Sequence, residues 1–223
     1  MGKFIDLQAS DGHKFAAYLA EPPGKARGGM VVIPEVFGVN SHIKQVADGY
    51  AADGYLAVAP AMFDRAQRNY DTGYSQPEIQ AGVAIMQKLD WKQSMLDVEA
   101  AVAEAKKVGK VGIVGYCYGG TVSWVAAARV SGLTCAVPYY GGGMPGFIGE
   151  NPKCPTMCHF GEQDQSPTLE QSKQIAAKHP EIVAHFYAGA GHGFNCDQRG
   201  SWNAEAAKLA RSRSLEFLRK NLG

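Results

Sequence analysis

Two short apolar runs, residues 30–33 and 56–59, and a third that is apolar after its opening lysine, residues 110–114, stand between longer stretches in which apolar residues recur at helical spacing. A run without a polar side predicts a strand buried on both faces. Recurrence every three or four positions predicts amphipathic helices. One opens at Ser41 and carries Ile43, Val46, Tyr50 and Ala51, and others cover 77–89, 92–107, 121–130, Leu169–Lys178 and 203–221. Residues 134–139, 155–160 and 182–187 read as further short strands. At the start, Lys3–Gln8 and residues 14–19 flank Asp11-Gly12, a strong hairpin signal. Residues 60–76 are polar and aromatic and read as a loop or lid. Strand–helix alternation after an antiparallel start predicts an α/β fold: a mainly parallel central sheet with helices on both faces and an N-terminal hairpin. No linker or repeat interrupts it, so residues 1–223 read as a single domain. Ligands of such sheets bind at the carboxyl ends of the strands.

Composition narrows the classes. Lys and Arg total 22 against 21 Asp and Glu. That balance carries no electrostatic footprint for nucleic acid and no basic run for a membrane surface. No apolar run approaches a membrane span, and Met1-Gly2-Lys3-Phe4-Ile5-Asp6 lacks the apolar core of a secretory signal. The five cysteines, at 117, 135, 154, 158 and 196, form no C-x-x-C pair. The expectation is free thiols in a cytoplasmic, reducing setting, with neither a zinc nor a disulfide framework. Monomer and homodimer both stay open.

The chemistry concentrates after the strand at 110–114. Gly115-Tyr116-Cys117-Tyr118-Gly119-Gly120 has the form of the nucleophile elbow G-x-S-x-G, with cysteine in place of serine. That form belongs to the α/β-hydrolase fold, which needs its triad in the order nucleophile, acid, histidine. Gly115 and Gly119 remove side chains that would collide across a tight strand-to-helix turn. The helix start offers free N–H groups and a positive dipole end, both favourable to a thiolate and to an oxyanion. Downstream, Gly161-Glu162-Gln163-Asp164 puts Asp164 at a strand's carboxyl end, with Glu162 its nearest rival. Gly191-His192-Gly193-Phe194 then supplies a histidine with flanking glycines. His13, His42, His179 and His185 carry ordinary surface or core readings, and His159 reads as structural. Pro34-Glu35-Val36-Phe37-Gly38-Val39-Asn40 follows the first central strand, where the fold places its second oxyanion donor. The Val36 and Tyr118 N–H groups are therefore the oxyanion candidates. Glu35, at a buried strand end, needs a partner or a task near the Cys117 thiol.

These four motifs together resemble the dienelactone hydrolase family, and the likeness runs from the opening hairpin to the last helix. The resemblance implies a Cys117-Asp164-His192 triad that needs no metal or cofactor. It also implies that Glu35 contacts the resting thiol and helps deprotonate it once substrate binds. Family members that open dienelactones hold the substrate carboxylate with arginines, and here the pattern departs. The stretch 74–92 contains no arginine, and Cys196 stands four residues after His192, where another arginine is expected. Arg199, Arg65 and Arg68 are the remaining candidates, while Phe37, Tyr74, Tyr118 and Phe194 could line a pocket for a neutral, aromatic or bulky ester.

The expected activity is hydrolysis of activated carboxylic esters or lactones through a thioester, the substrate being a small molecule. Electrophilic phosphotriesters could meet the same thiolate. A non-catalytic thiol sensor on a hydrolase fold would not need Asp164 and His192 in order. A dinucleotide binder is excluded, because no G-x-G-x-x-G follows the first buried strand.

Overall fold

The computed structural model describes residues 2–223. Strands β1 (Lys3–Gln8) and β2 (Lys14–Ala20) form the antiparallel hairpin, turning at Gly12, whose φ is +88°. Strands β3 (Gly28–Ile33), β4 (Tyr55–Pro60), β5 (Val111–Tyr116), β6 (Leu133–Tyr139), β7 (Met157–Gly161) and β8 (Val183–Tyr187) run parallel to one another. They complete one eight-stranded sheet in the order β1-β2-β4-β3-β5-β6-β7-β8. The order reverses direction at β3, which places the crevice above the carboxyl ends of β3 and β5.

Every residue of β3, β4 and β5 is buried, as the apolar runs require. Alternation divides their side chains between two cores. Val31, Ile33 and Ile113 join the core under α3 (Trp91–Ala105) and α4 (Tyr118–Arg129), while Met30, Val32 and Val114 join the one under α1 (Ser41–Ala52) and α6 (Ala204–Leu222). Helices α2 (Gln76–Met86) and α5 (Leu169–Lys178) pack on the α3 side. Side-chain caps fix several helix starts: Asn40 and Asp90 accept the third-residue N–H of α1 and α3, and Thr168 does so for α5. Among the described residues no helix is long and apolar enough to cross a membrane.

Two sequence expectations need correction. Helix α4 starts at Tyr118 rather than near 121, because the helix begins directly at the elbow. The stretch 60–76 is a loop but is pinned rather than lid-like, since Met62, Phe63 and Asp64 are buried and Gly38 bridges to Asp71. Arg65 in this loop is fully engaged. It donates to Asp97 at 2.7 and 2.8 Å and to Asp11 at 2.8 and 3.2 Å, which removes it from the candidate substrate cations.

Candidate active site

Cys117 is the N-cap of α4 and holds φ +55° and ψ −115°, a region that costs a non-glycine residue strain. The surrounding glycines impose that turn. A Cβ on Gly115 would overlap the Gly119 carbonyl, and a Cβ on Gly119 would overlap the carbonyls of Ile33 and Pro34. The helix start is thus pressed against the end of β3, and the Cys117 side chain is left partly accessible.

The acid and the histidine arrive from the ends of β7 and β8. Asp164 is 3% exposed, and its Oδ1 accepts the Ser166 N–H at 2.8 Å, which fixes the carboxylate. His192 Nδ1 lies 3.0 Å from Asp164 Oδ2 and 3.2 Å from Oδ1. Donation from Nδ1 leaves Nε2 for the sulfur. Burial alone would push the imidazolium pKa down; the neighbouring Cys117 and the Asp164 carboxylate outweigh it and hold His192 well above the ordinary histidine value. The three motifs therefore converge on one cluster, and Glu162 lies in an exposed position away from that role.

Glu35 takes a partner that its sequence context did not reveal. It is 1% exposed, its Oε1 accepts from Arg199 Nη1 at 2.8 Å, and its Oε2 is buried without a partner. The Arg199 guanidinium also stacks over Phe37 at 5.3 Å and Tyr74 at 6.0 Å. Burial disfavours its charge, but Glu35 and then Cys117 more than compensate and hold the Arg199 pKa above its ordinary value.

A cavity of about 540 Å³ opens on the cluster. Cys117, His192, Val36, Tyr118 and Arg199 border it, and Phe37, Ile79, Val83, Met86 and Trp91 form an apolar wall. Tyr118 is the first residue of α4, so its N–H has no partner within the helix. Two expected lining residues lie elsewhere. Phe194 is fully buried behind the histidine, packed on Tyr140 and Tyr187 at 5.2 Å, and Tyr74 borders a separate surface hollow. Arg68 does not reach the cavity either. Tyr140 was missed from the sequence: it holds φ +35°, is fully buried, and sets its ring edge against His192 at 5.3 Å. Its position directly after β6 was the available signal.

The comparisons with known proteins fall on this architecture. The dienelactone hydrolase family model matches residues 15–222. The chain belongs to the dienelactone hydrolase family. The carboxymethylenebutenolidase of Pseudomonas putida is 31% identical over 224 residues, 96% of this chain and 94% of that protein. Among solved structures, the dienelactone hydrolase of Anabaena variabilis superposes with a TM-score of 0.72 at 18% identity, covering 100% of this chain and 99% of that one. The dienelactone hydrolase-like promiscuous phosphotriesterase P91, from metagenomic libraries, does so with a TM-score of 0.78 at 20% identity, covering 100% and 99%. Both likenesses show the shared α/β-hydrolase fold. With its family, the chain is a carboxylic ester hydrolase.

Proposed function

We propose that this family member hydrolyses activated carboxylic esters or lactones through a Cys117-Asp164-His192 triad. The observation that carries the reading is the 3.0 Å Asp164–His192 contact beside a nucleophile held at φ +55° on the cavity floor. The Cys117 thiolate attacks the carbonyl carbon, and the carbonyl π electrons move to oxygen. The N–H groups of Val36 and Tyr118 hold that oxyanion, each contributing about 3–4 kcal/mol in comparable sites. Collapse expels the alkoxide, which takes its proton from His192, and leaves a thioester on Cys117. His192 then takes a proton from water, whose hydroxide attacks the thioester and releases acid and thiol. A thiolate is a good leaving group, so the reading favours esters, lactones and thioesters over amides.

Glu35 is assigned to the activation of Cys117, supported by its burial, its free Oε2 and its bond to Arg199, which borders the cavity with Cys117. The apolar wall and the engagement of Arg199 by Glu35 favour a neutral, hydrophobic or aromatic substrate over a dianionic one. The five free cysteines support a reducing, cytoplasmic setting.

The test is a rapid-mixing assay with p-nitrophenyl acetate. The expected result is a burst of nitrophenol with an acetyl adduct on Cys117, both lost in Cys117→Ala. Undiminished hydrolysis by Cys117→Ala would overturn the assignment.

A further inference from the structure

Beside the triad lies a second cluster, which shares Glu35 with the proposed hydrolytic site and adds two residues, His42 and Cys196, that hydrolysis does not use. Glu35, His42 and Cys196 are all buried, and one potential ligand atom from each lies within 4.8 Å of the other two. They come from three separate elements: the end of β3, the first turn of α1, and the loop after His192. Two independent features point to a ligand. Glu35 Oε2 and His42 Nε2 are both buried without a hydrogen-bond partner, although an unsatisfied buried polar atom costs about 1–3 kcal/mol. In addition, His42 Nδ1 lies 3.2 Å from Asp197 Oδ1. Donation to that carboxylate fixes the tautomer that leaves Nε2 a bare lone pair, the arrangement found where a histidine binds a metal.

The geometry points to a buried site for a borderline divalent cation of the zinc type, ligated by Glu35, His42 and Cys196. One carboxylate, one imidazole and one thiolate are the donor types that such a cation takes. Tetrahedral coordination at ordinary bond lengths sets ligand atoms about 3.3–3.7 Å apart. Rotamer adjustment of roughly an ångström closes the present cluster to that spacing. Entry runs past Asp197, whose side chain is 55% exposed and which, with His42, borders a surface hollow of about 370 Å³. Glu35 carries positive charge on one side already, from Arg199 on Oε1. Burial pushes the Cys196 thiol up to about 11, so a cation entering beside the Glu35–Arg199 pair displaces the thiol proton to solvent as the Cys196 sulfur binds. A cation there engages the Glu35 carboxylate and competes with the activating role proposed for Glu35, a consequence that rests on that role. The binding itself does not rest on it.

Cys117 is a second, partly accessible thiol that would bind Zn²⁺ or Co²⁺ independently, so the experiment uses the Cys117→Ala protein. Calorimetric titration with Zn²⁺ alone is expected to show one equivalent bound. Co²⁺ is expected to give one thiolate-to-cobalt charge-transfer band in the near ultraviolet. Adding Cys196→Ser should abolish the band. Adding Asp197→Ala, an exposed change that leaves the core untouched, should weaken Zn²⁺ binding by about 10–100-fold. No binding by Cys117→Ala, or equal affinity with and without Asp197→Ala, would overturn the site. So would a cobalt–thiolate band that survives Cys196→Ser.

Discussion

Arg199 Nη1 donates to Glu35 Oε1 at 2.8 Å, joining two loops whose residues are 164 positions apart in the chain. The pair is largely dry, with side-chain exposures of 15% and 1%. It joins the end of β3 to the histidine loop at the border of the cavity and engages the Arg199 charge within the protein.

Removing one member of a buried pair leaves the other charge uncompensated. Arg199→Ala should therefore lower the free energy of unfolding by about 3–5 kcal/mol in urea denaturation. It should also slow neutral and anionic esters by similar factors, since its charge is already engaged. A selective loss on anionic esters would instead make Arg199 a substrate anchor.

The Asp164 carboxylate sets the His192 tautomer and orientation. Asp164→Asn should preserve the fold but present an amide that can donate toward Nδ1, reversing the tautomer. The expected loss in kcat is about 10⁴-fold, as at comparable triad aspartates. A loss below about tenfold would remove Asp164 from the triad.

Gly82 sits inside α2, where alanine would ordinarily stabilise the helix by about 1 kcal/mol. Here a Cβ would strike the carbonyl of Val36, whose N–H is the proposed oxyanion donor. Gly82→Ala should cost about 1–3 kcal/mol of stability. It should lower kcat more than it raises KM, because displacing Val36 affects the transition state first. Thermal unfolding and steady-state kinetics check both parts.

His159 is buried against the Tyr187 hydroxyl at 2.7 Å and the Ser214 hydroxyl at 2.9 Å. Burial, then His185 and Arg213, hold its pKa well below the ordinary histidine value. Below about pH 6.5 the unfolded chain binds a proton at this residue and the folded chain does not. Stability must therefore fall with pH there, by up to about 1.4 kcal/mol per unit from this group. Urea denaturation between about pH 7.5 and 5 should show a shallower decline for His159→Gln. Parallel curves for the two proteins would disprove the assignment.

The sheet was legible because β3, β4 and β5 must be apolar on both faces, which leaves an unbroken run in the chain. The placement of the three proposed triad residues was legible for a related reason. Cys117, Asp164 and His192 each sit in a tight turn at a strand end, and such turns need glycine neighbours. The start of α4 was less legible, since Tyr118 and the two glycines after it carry no helix-start signal apart from the elbow itself.

The sequence by itself determined the α/β order, the tight turn at Cys117 and the succession of Cys117, Asp164 and His192 at strand ends, because each depends on local spacing and backbone freedom. Tertiary structure alone decided the pairing of Glu35 with Arg199, the exclusion of Tyr74 and Phe194 from the cavity, and the meeting of His42 with Cys196. Each of those relations joins side chains from separate loops, and no spacing along the chain records which loops the folded sheet brings to the same rim.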